Sequence, residues 1–472
     1  MESFTTENSG LERLLDPARI AVIGASGKKG RVGRIVFERL IASRRRLYPV
    51  NPNETVIRGY KVFHDIADLP DDIDLAVITV SAENAVAAAE ECAVRRIPYI
   101  VVVAGGFGET GVRGKQLEER LKSVPSRYDT RVLGPNTLGI FLPDENLDTI
   151  FVEHGDKALD RGGTVACIVQ SGSVGVEALG YASNTGFGMR AFVGLGNKCD
   201  LDEMDFLGHF ANDEKTACLS FYLENIGHGR QFLEQAGRVA AKKPVVVLKA
   251  GRSETGISAV SSHTGKLAGS DRVVSGAFKQ YGIQRAFDDE EFCDASKVLS
   301  MLSPPTGNRV AVLTAAGGYG VICTDYIETE ERRAKLRMAR LSETTRNRIR
   351  EATFEFAACG NPVDITASAD DPMFAKSLQA LAADDGVDII ICIAFFAPPG
   401  ITENLIDHIA GIVKSTEKAV LVFTKYGPFT DTCLKNFYYA GVTGFPSIYR
   451  TVRAARFLVE RADCIKRVAG MC

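Results

Sequence analysis

Short apolar runs that stop at a glycine or serine constrain this chain more than any other feature. Ile20-Ala21-Val22-Ile23 stops at Gly24 and Leu75–Val80 at Ser81. Ile100–Val103 stops at Ala104-Gly105-Gly106, and Arg131-Val132-Leu133 at Gly134-Pro135-Asn136. The runs are continuous, not alternating, so both faces of each strand must be buried. Helical segments such as Ala82–Arg96 and Gly114–Lys122 lie between them. Buried strands separated by helices make βαβ units and a parallel sheet.

The pattern restarts twice. After Arg161-Gly162-Gly163 the strands read Thr164–Val169, Ala191–Leu195, Ala217–Tyr222 and Val245–Lys249. After Ser303-Pro304-Pro305, which reads as a linker, they are Val310–Leu313, Asp388–Ile393 and Ala419–Thr424. The 472 residues leave room for about three domains. The expected division is 1–150, 151–303 and 304–472, all α/β. The charged segment Glu328–Arg340 reads as an exposed helix face.

Composition excludes several classes of function. Lys plus Arg is 56 and Asp plus Glu is 59, a net charge of −3. That balance fits neither a polybasic nucleic-acid binder nor an acidic tail. The 11 cysteines form no CxxC and sit mostly in apolar stretches, as free thiols do in a reducing compartment. Met1–Gly10 has no apolar stretch of the secretory kind. The longest apolar run, Ile389–Ala397, is too short to span a bilayer. The expectation is a soluble cytoplasmic protein with no membrane and no nucleic-acid partner.

The first chemical motif is Gly24-Ala25-Ser26-Gly27-Lys28-Lys29-Gly30, running on to Gly33 between a strand and a helix. Backbone N–H groups there can cradle phosphate. A tight turn without a ligand would have the same pattern. The acidic residue that grips a ribose in dinucleotide sites falls about 20 positions on, where this chain has Arg44-Arg45-Arg46. Cations there favour a ligand with an extra ribose phosphate, CoA or NADP, over NAD, although a solvated helix end would carry the same run. No Gly-Lys pair is followed by Ser or Thr, so no Walker A motif exists.

Gln170-Ser171-Gly172-Ser173 is a second strand–turn–helix junction and a second candidate anion site. It is not a nucleophile elbow, because no glycine stands two residues before Ser171. His263 lies in a small, polar, glycine-rich segment, Ser258–Asp271, and reads either as a loop residue able to meet a ligand or as an ordinary surface-loop histidine. An imidazole can accept a phosphoryl group. Glu224 closes a strand, where it could orient such an imidazole or be merely solvated. No histidine pair has metal-ligand spacing, so no metal site is expected.

These motifs, with Pro49-Val50-Asn51-Pro52, Gly196-Asn197-Lys198, Ala316-Gly317-Gly318 and Asn361-Pro362-Val363-Asp364, occur in an order that resembles one family. It is the α subunit of NDP-forming acyl-CoA synthetases, of the ADP-forming acetate–CoA ligase type and related to succinyl-CoA synthetase. The resemblance runs from about Leu14 to Leu458. It implies a Rossmann-like CoA-binding domain followed by two flavodoxin-like domains with doubly wound parallel sheets. It implies the reaction acyl-CoA + ADP + phosphate ⇌ acid + CoA + ATP, through an acyl phosphate and a phosphohistidine, with acetyl-CoA the default substrate.

By the same resemblance His263 carries the phosphoryl group and Glu224 is its carboxylate partner. Ser171, Gly172 and Ser173 hold phosphate, and Gly317 and Gly318 form a second phosphate turn. CoA falls to Gly24, Ser26, Gly27, Lys28, Lys29, Asn51, Ser81, Gly105 and Asn136. An ATP-grasp β subunit, in an α2β2 assembly, would hold ADP or ATP with Mg2+. Asn53 departs from the lysine that many relatives carry there. Two other readings stand beside this one: a CoA-sensing regulatory module without phosphoryl chemistry, and an NADP oxidoreductase.

Overall fold

The computed structural model describes residues 10–152, 162–264, 270–329 and 333–469. The chain forms two compact units. The first takes the residues up to Gly180 together with Gly188–Asp289, and the second takes Tyr181–Phe187 and Glu290 onward.

In the first unit the first set of apolar runs builds a five-stranded parallel sheet. Its order is Arg46–Val50, Arg19–Ile23, Leu75–Ile78, Tyr99–Val102, Arg131–Leu133. Val22 pairs with Val77, and Val77 with Val101. In chain order this is 2-1-3-4-5, so the winding reverses between the first and third strands. Ligands collect outside the carboxyl ends of such sheets, at that reversal. Arg46–Val50 has no strand signature, because Pro49 interrupts it. The strand survives because it lies at the edge, where a missing N–H costs no ladder bond.

The second sheet of this unit has seven strands. Met189–Gly194, Val165–Val169, Cys218–Leu223, Val245–Lys249 and Gln284–Ala286 are parallel and repeat the same winding. Ile140–Leu142 then pairs antiparallel with Met189–Gly194, and Leu147–Asp148 pairs beyond it. The sequence reading counts residues 140–148 with the first domain, but here they cover the open edge of the second sheet. Side chains from both sheets, among them Val77, Ile168 and Phe221, and from the helices beside them, among them Phe37 and Phe206, form one buried core.

The second unit holds a parallel sheet in the order Arg337–Met338, Arg309–Thr314, Ile389–Ile393, Ala419–Phe423, Thr443–Phe445, with Val363–Asp364 beside Arg309–Thr314. Two expectations are corrected here. The boundary falls at Asp289, not at Ser303-Pro304-Pro305. The reason is the helix Asp289–Met301, whose buried charges are tied into this unit. Asp294 receives two hydrogen bonds from Arg450, at 2.7 and 2.8 Å. Lys297 donates to the carbonyls of Thr185 and Gly444, and its complete burial pushes its pKa down to about 7.

The charged segment is not an exposed helix face either. The helix Gly317–Thr329 ends as the segment begins, and Arg337–Met338 is an edge strand. Between them Arg333 is buried in ion pairs with Glu291 and Glu460, at 2.7 and 3.1 Å.

Candidate active site

At the winding reversal of the first sheet, Gly24 adopts φ +88°. A Cβ there would meet Val80 Cγ1 at 2.7 Å and Thr79 Oγ1 at 2.9 Å. A Cβ on Gly33 would overlap the carbonyl oxygen of Gly24. Both glycines let the helix Val32–Ile41 close onto the strand end, which aims the loop N–H groups outward. Lys28 and Lys29 are exposed on this loop, and Ser26 is buried under it.

The other residues expected at a CoA site follow the carboxyl ends of the same sheet. Asn51 donates from Nδ2 to the carbonyl of Ala25 at 2.7 Å, holding the loop from behind. Ser81 is exposed at the start of the helix Ala82–Val94. Asn136 has φ +58° and donates its N–H to Ala104 at 2.9 Å. Its Oδ1 lies 3.1 Å from where a Cβ on Gly105 would stand. Gly24, Asn51, Ser81, Gly105 and Asn136 therefore share one edge.

The arginine run does not reach that edge. Arg44–Arg46 precede the strand Arg46–Val50 and so lie at its amino end. Arg45 pairs with Asp16 and donates to the carbonyls of Pro17 and Glu145. It ties chain segments together and carries no argument about a ribose phosphate. An acid does reach the loop: Glu54, from the turn after the edge strand. Its Oε1 accepts from Ser26 Oγ at 3.0 Å and Gly27 N at 3.1 Å, and its Oε2 from Gly27 N at 2.9 Å.

A cavity of about 430 Å³ opens where Asn136 meets the second sheet. Ser171, Gly172, Ser173, Gln170 and Glu224 line one side; Glu109, Glu118 and Asn197 line another; Val103, Leu138 and Phe151 form an apolar wall. Ser171, Gly172 and Ser173 open the helix Gly172–Thr185, whose N-terminal N–H groups favour an anion. The two serine hydroxyls are 3.1 Å apart.

Glu224 is held by its backbone. Gln170 Oε1 accepts from the N–H groups of Glu224 and Asn225, at 2.9 and 3.2 Å. Lys249 Nζ donates to the carbonyl of Glu224 at 2.7 Å. Lys198 Nζ donates to the carbonyl of Asn225 at 2.8 Å and pairs with Glu203 at 2.8 Å. Three side chains thus satisfy all four backbone polar groups of this dipeptide. Burial, then the nearby charges of Arg285 and Lys198, push Lys249 down to about 8.

Glu109 and Glu118 are joined through Asn197, whose Nδ2 donates to both, at 2.9 and 2.7 Å. Burial works against ionising Glu109. The Asn197 bond and the backbone N–H groups of Gly106 and Phe107 outweigh it and hold the carboxyl below its ordinary range. Glu118 also accepts from Gly108 N at 3.0 Å.

His263 stands in the last turn of the helix Glu254–Thr264, so the expected loop is helical up to Thr264. Ser253 starts this helix by accepting the N–H of Gly256 on its hydroxyl at 3.0 Å. The imidazole of His263 and residues 265–269 lie outside the described residues. The helix packs against the turn Gly108–Thr110, and that turn's Gly108 and Glu109 line the cavity. Gly317 and Gly318 open a helix of the second unit. There a Cβ on Gly317 would overlap Asp364 Oδ2, so a carboxylate stands beside this turn.

Sequence reasoning passed over Glu54, Glu118, Lys249 and the role of Gln170. Asn197 sits inside the motif Gly196-Asn197-Lys198 without an assigned role, and Glu109 follows the Ala104-Gly105-Gly106 turn by three residues. Glu118 carries no signal at all, being one of two adjacent acids on a charged helix, Val112–Arg127.

Comparison with known proteins agrees with this geometry. Residues 18–143 match the family model for a CoA binding domain. Residues 162–299 match that for a succinyl-CoA ligase like flavodoxin domain. The chain is 37% identical to the Pyrococcus furiosus acetate–CoA ligase [ADP-forming] I subunit alpha, over 78% of this chain and 79% of that protein. Against subunit alpha of the type II enzyme of the same organism it is 34% identical, over 98% and 99%. The Archaeoglobus fulgidus acetate–CoA ligase [ADP-forming] I is 36% identical over 81% of this chain, which spans only 54% of that longer protein. Among solved structures, a Ca. Korarchaeum cryptofilum dinucleotide forming acetyl-coenzyme A synthetase 1, in complex with phosphate and ADP, superposes with a TM-score of 0.88 at 32% identity, covering 98% of this chain and 99% of that one.

Proposed function

Since the chain belongs to the family of ADP-forming acetate–CoA ligase alpha subunits, which are acid–thiol ligases, we propose that it turns acyl-CoA, ADP and phosphate into a carboxylic acid, CoA and ATP, with acetyl-CoA the first substrate to test. The observation that carries this reading is the single cavity shared by Asn136, at the edge of the glycine-loop sheet, and by Ser171–Ser173 and Glu224 of the second sheet. A thioester arriving from the first sheet would there meet a phosphate held at the second.

CoA lies along Gly24, Ser26, Gly27, Lys28, Lys29, Asn51, Ser81, Gly105 and Asn136, its diphosphate on the glycine loop. Phosphate rests on the N–H groups at Gly172 and Ser173 and on the serine hydroxyls. A phosphate oxygen attacks the thioester carbonyl, the C–S bond breaks, and CoA leaves as thiolate. The imidazole of His263 then attacks phosphorus, and the carboxylate leaves with the bridging oxygen. Glu224 orients the ring and stabilises its positive charge. A terminal oxygen of ADP takes the phosphoryl group from His263. Gly317 and Gly318 serve a second phosphate position.

The labour divides among three domains, one built on each sheet of the first compact unit and a third in the second unit. ADP and Mg2+ sit on a separate ATP-grasp β subunit in an α2β2 assembly. Relatives of about twice the length, such as the A. fulgidus protein, are consistent with a further module carried elsewhere. The cytoplasm suits this chain, since the described cysteines form no disulfide. No helix among the described residues is long and apolar enough to cross a membrane.

Incubating the purified chain with acetyl-CoA and inorganic phosphate should add one acid-labile phosphoryl group by intact mass, and H263A should abolish it. Equal phosphorylation of H263A would overturn the role of His263. Absence of phosphorylation across a panel of acyl-CoAs, in the presence of the β subunit, would overturn the ligase reading.

A further inference from the structure

We propose that Glu54 acts as an internal anion on the glycine loop and that the diphosphate of an incoming CoA must displace it, so that this residue sets the affinity and selectivity of the site. The inference rests on the reading that CoA binds this loop.

Glu54 lies 27 residues from Gly27 in sequence, yet its two carboxylate oxygens both accept from the Gly27 N–H. One of them also accepts from Ser26 Oγ at 3.0 Å. The Ser26 hydroxyl in turn accepts from Lys28 N at 3.1 Å, so the carboxylate completes a short chain of bonds through the loop. A Cβ on Gly27 would stand 2.8 Å from Glu54 Oε2, which makes the absence of a side chain at Gly27 a condition of this contact.

The donors that Glu54 uses are those a phosphate would use on such a loop. An N–H group cannot serve a carboxylate and a phosphate oxygen at full strength together. Two anions brought within a few ångströms also repel, and most strongly where solvent is thin. Glu54 is only half-buried on a turn, so it has an exit toward water. Lys28 and Lys29, exposed beside it, are free to follow whichever anion occupies the loop. A neutral or weakly charged ligand would not dislodge the carboxylate, whereas a diphosphate can offer more charge and more acceptors.

Titration calorimetry on the full chain tests this with CoA and dephospho-CoA against wild type, E54Q and E54A. E54Q keeps the shape and one acceptor but loses the charge; E54A loses both. Both variants should bind CoA more tightly, E54A by roughly tenfold, the scale of one charge-assisted hydrogen bond. Dephospho-CoA, which keeps the diphosphate, should gain equally. Thermal melts of the same samples verify folding, and E54Q carries the test if E54A does not fold. Weaker or unchanged CoA binding in the folded variants would overturn the inference, making Glu54 a ligand contact or a loop brace. A gain for CoA but none for dephospho-CoA would also overturn it, since Glu54 would then oppose the ribose phosphate. If wild type and both variants all fail to bind CoA, the CoA reading falls, and this inference with it.

Discussion

The two strand–turn–helix junctions of the first unit share a fold and differ in what the strand-end side chains do. At Gly24–Gly33 a carboxylate folds over the loop, and Glu54 takes the Gly27 N–H. At Ser171–Ser173 the adjacent polar side chain turns the other way, and Gln170 grips the backbone of Glu224 and Asn225. One junction has an internal anion on its donors. The other uses its polar residue to fix the carboxylate across the cavity. The same helix N-terminus thus has its donors covered by an acid in one place and a polar neighbour turned to a strand-end backbone in the other. The turn at Gly317 is closer to the first case, with Asp364 beside it.

The largest effect should come from the packing that both uses require. Gly33→Ala drives a methyl into the Gly24 carbonyl, so it should cost about 3 kcal/mol in urea unfolding and abolish CoA binding. A variant of wild-type stability would show that the loop can move away from the strand, and the contrast between a fixed junction and a moving carboxylate would fail.

Next is the clamp at the second junction. Lys249→Met leaves the Glu224 carbonyl without its buried donor. Phosphorylation by acyl-CoA and phosphate should slow by about tenfold, the scale of one unsatisfied buried group, with KM for acyl-CoA unchanged. In an E224Q background the same change should add little, because coupled residues are not additive. Equal losses in both backgrounds would mean that Lys249 acts apart from Glu224.

A smaller effect is in pH. Lys249 is pushed from 10.5 down to about 8, first by burial. Between those values the unfolded chain binds more protons at this site than the folded one, so stability rises with pH there. The destabilisation is complete below about 8 and is relieved by 10.5. The urea midpoint should therefore climb less between these pH values in K249M than in wild type. Identical slopes would place the charged form of Lys249 comfortably in the fold.

The smallest effect should be at the third turn. A Cβ on Gly318 meets nothing within 4 Å, so Gly318→Ala should change stability by less than about 0.5 kcal/mol. A larger loss, read by the same urea titration, would remove the distinction between Gly33 and Gly318.

Much of the sheet architecture was legible. Ile20–Ile23, Leu75–Ile78 and Val245–Leu248 are continuous apolar runs, and each lies in a buried parallel strand. The edge strands Arg46–Val50 and Arg337–Met338 were not legible, since an edge needs neither a full apolar run nor every N–H. Arg333 read as a solvated charge, because sequence carries no sign of the two acids, Glu291 and Glu460, that bury it. At the site, the expected glycines, serines and Glu224 fell at strand ends, where parallel topology puts them. Glu54 escaped notice because its role depends on how a turn folds back after an edge strand, and no period records that.

The sequence by itself determined the strand–turn–helix order and the positions of the glycines. Burial on both faces demands unbroken apolar runs, and close helix–strand approach demands the absence of a Cβ; both conditions are local. Only the tertiary structure decided which polar groups meet. Glu54 reaches Gly27 across 27 residues, Gln170 reaches Glu224 across 54, and Asn197 joins Glu118 across 79. Such contacts depend on where separate strand ends come to lie, and a hydrogen bond worth about 1 kcal/mol leaves no periodic trace in the chain that makes it.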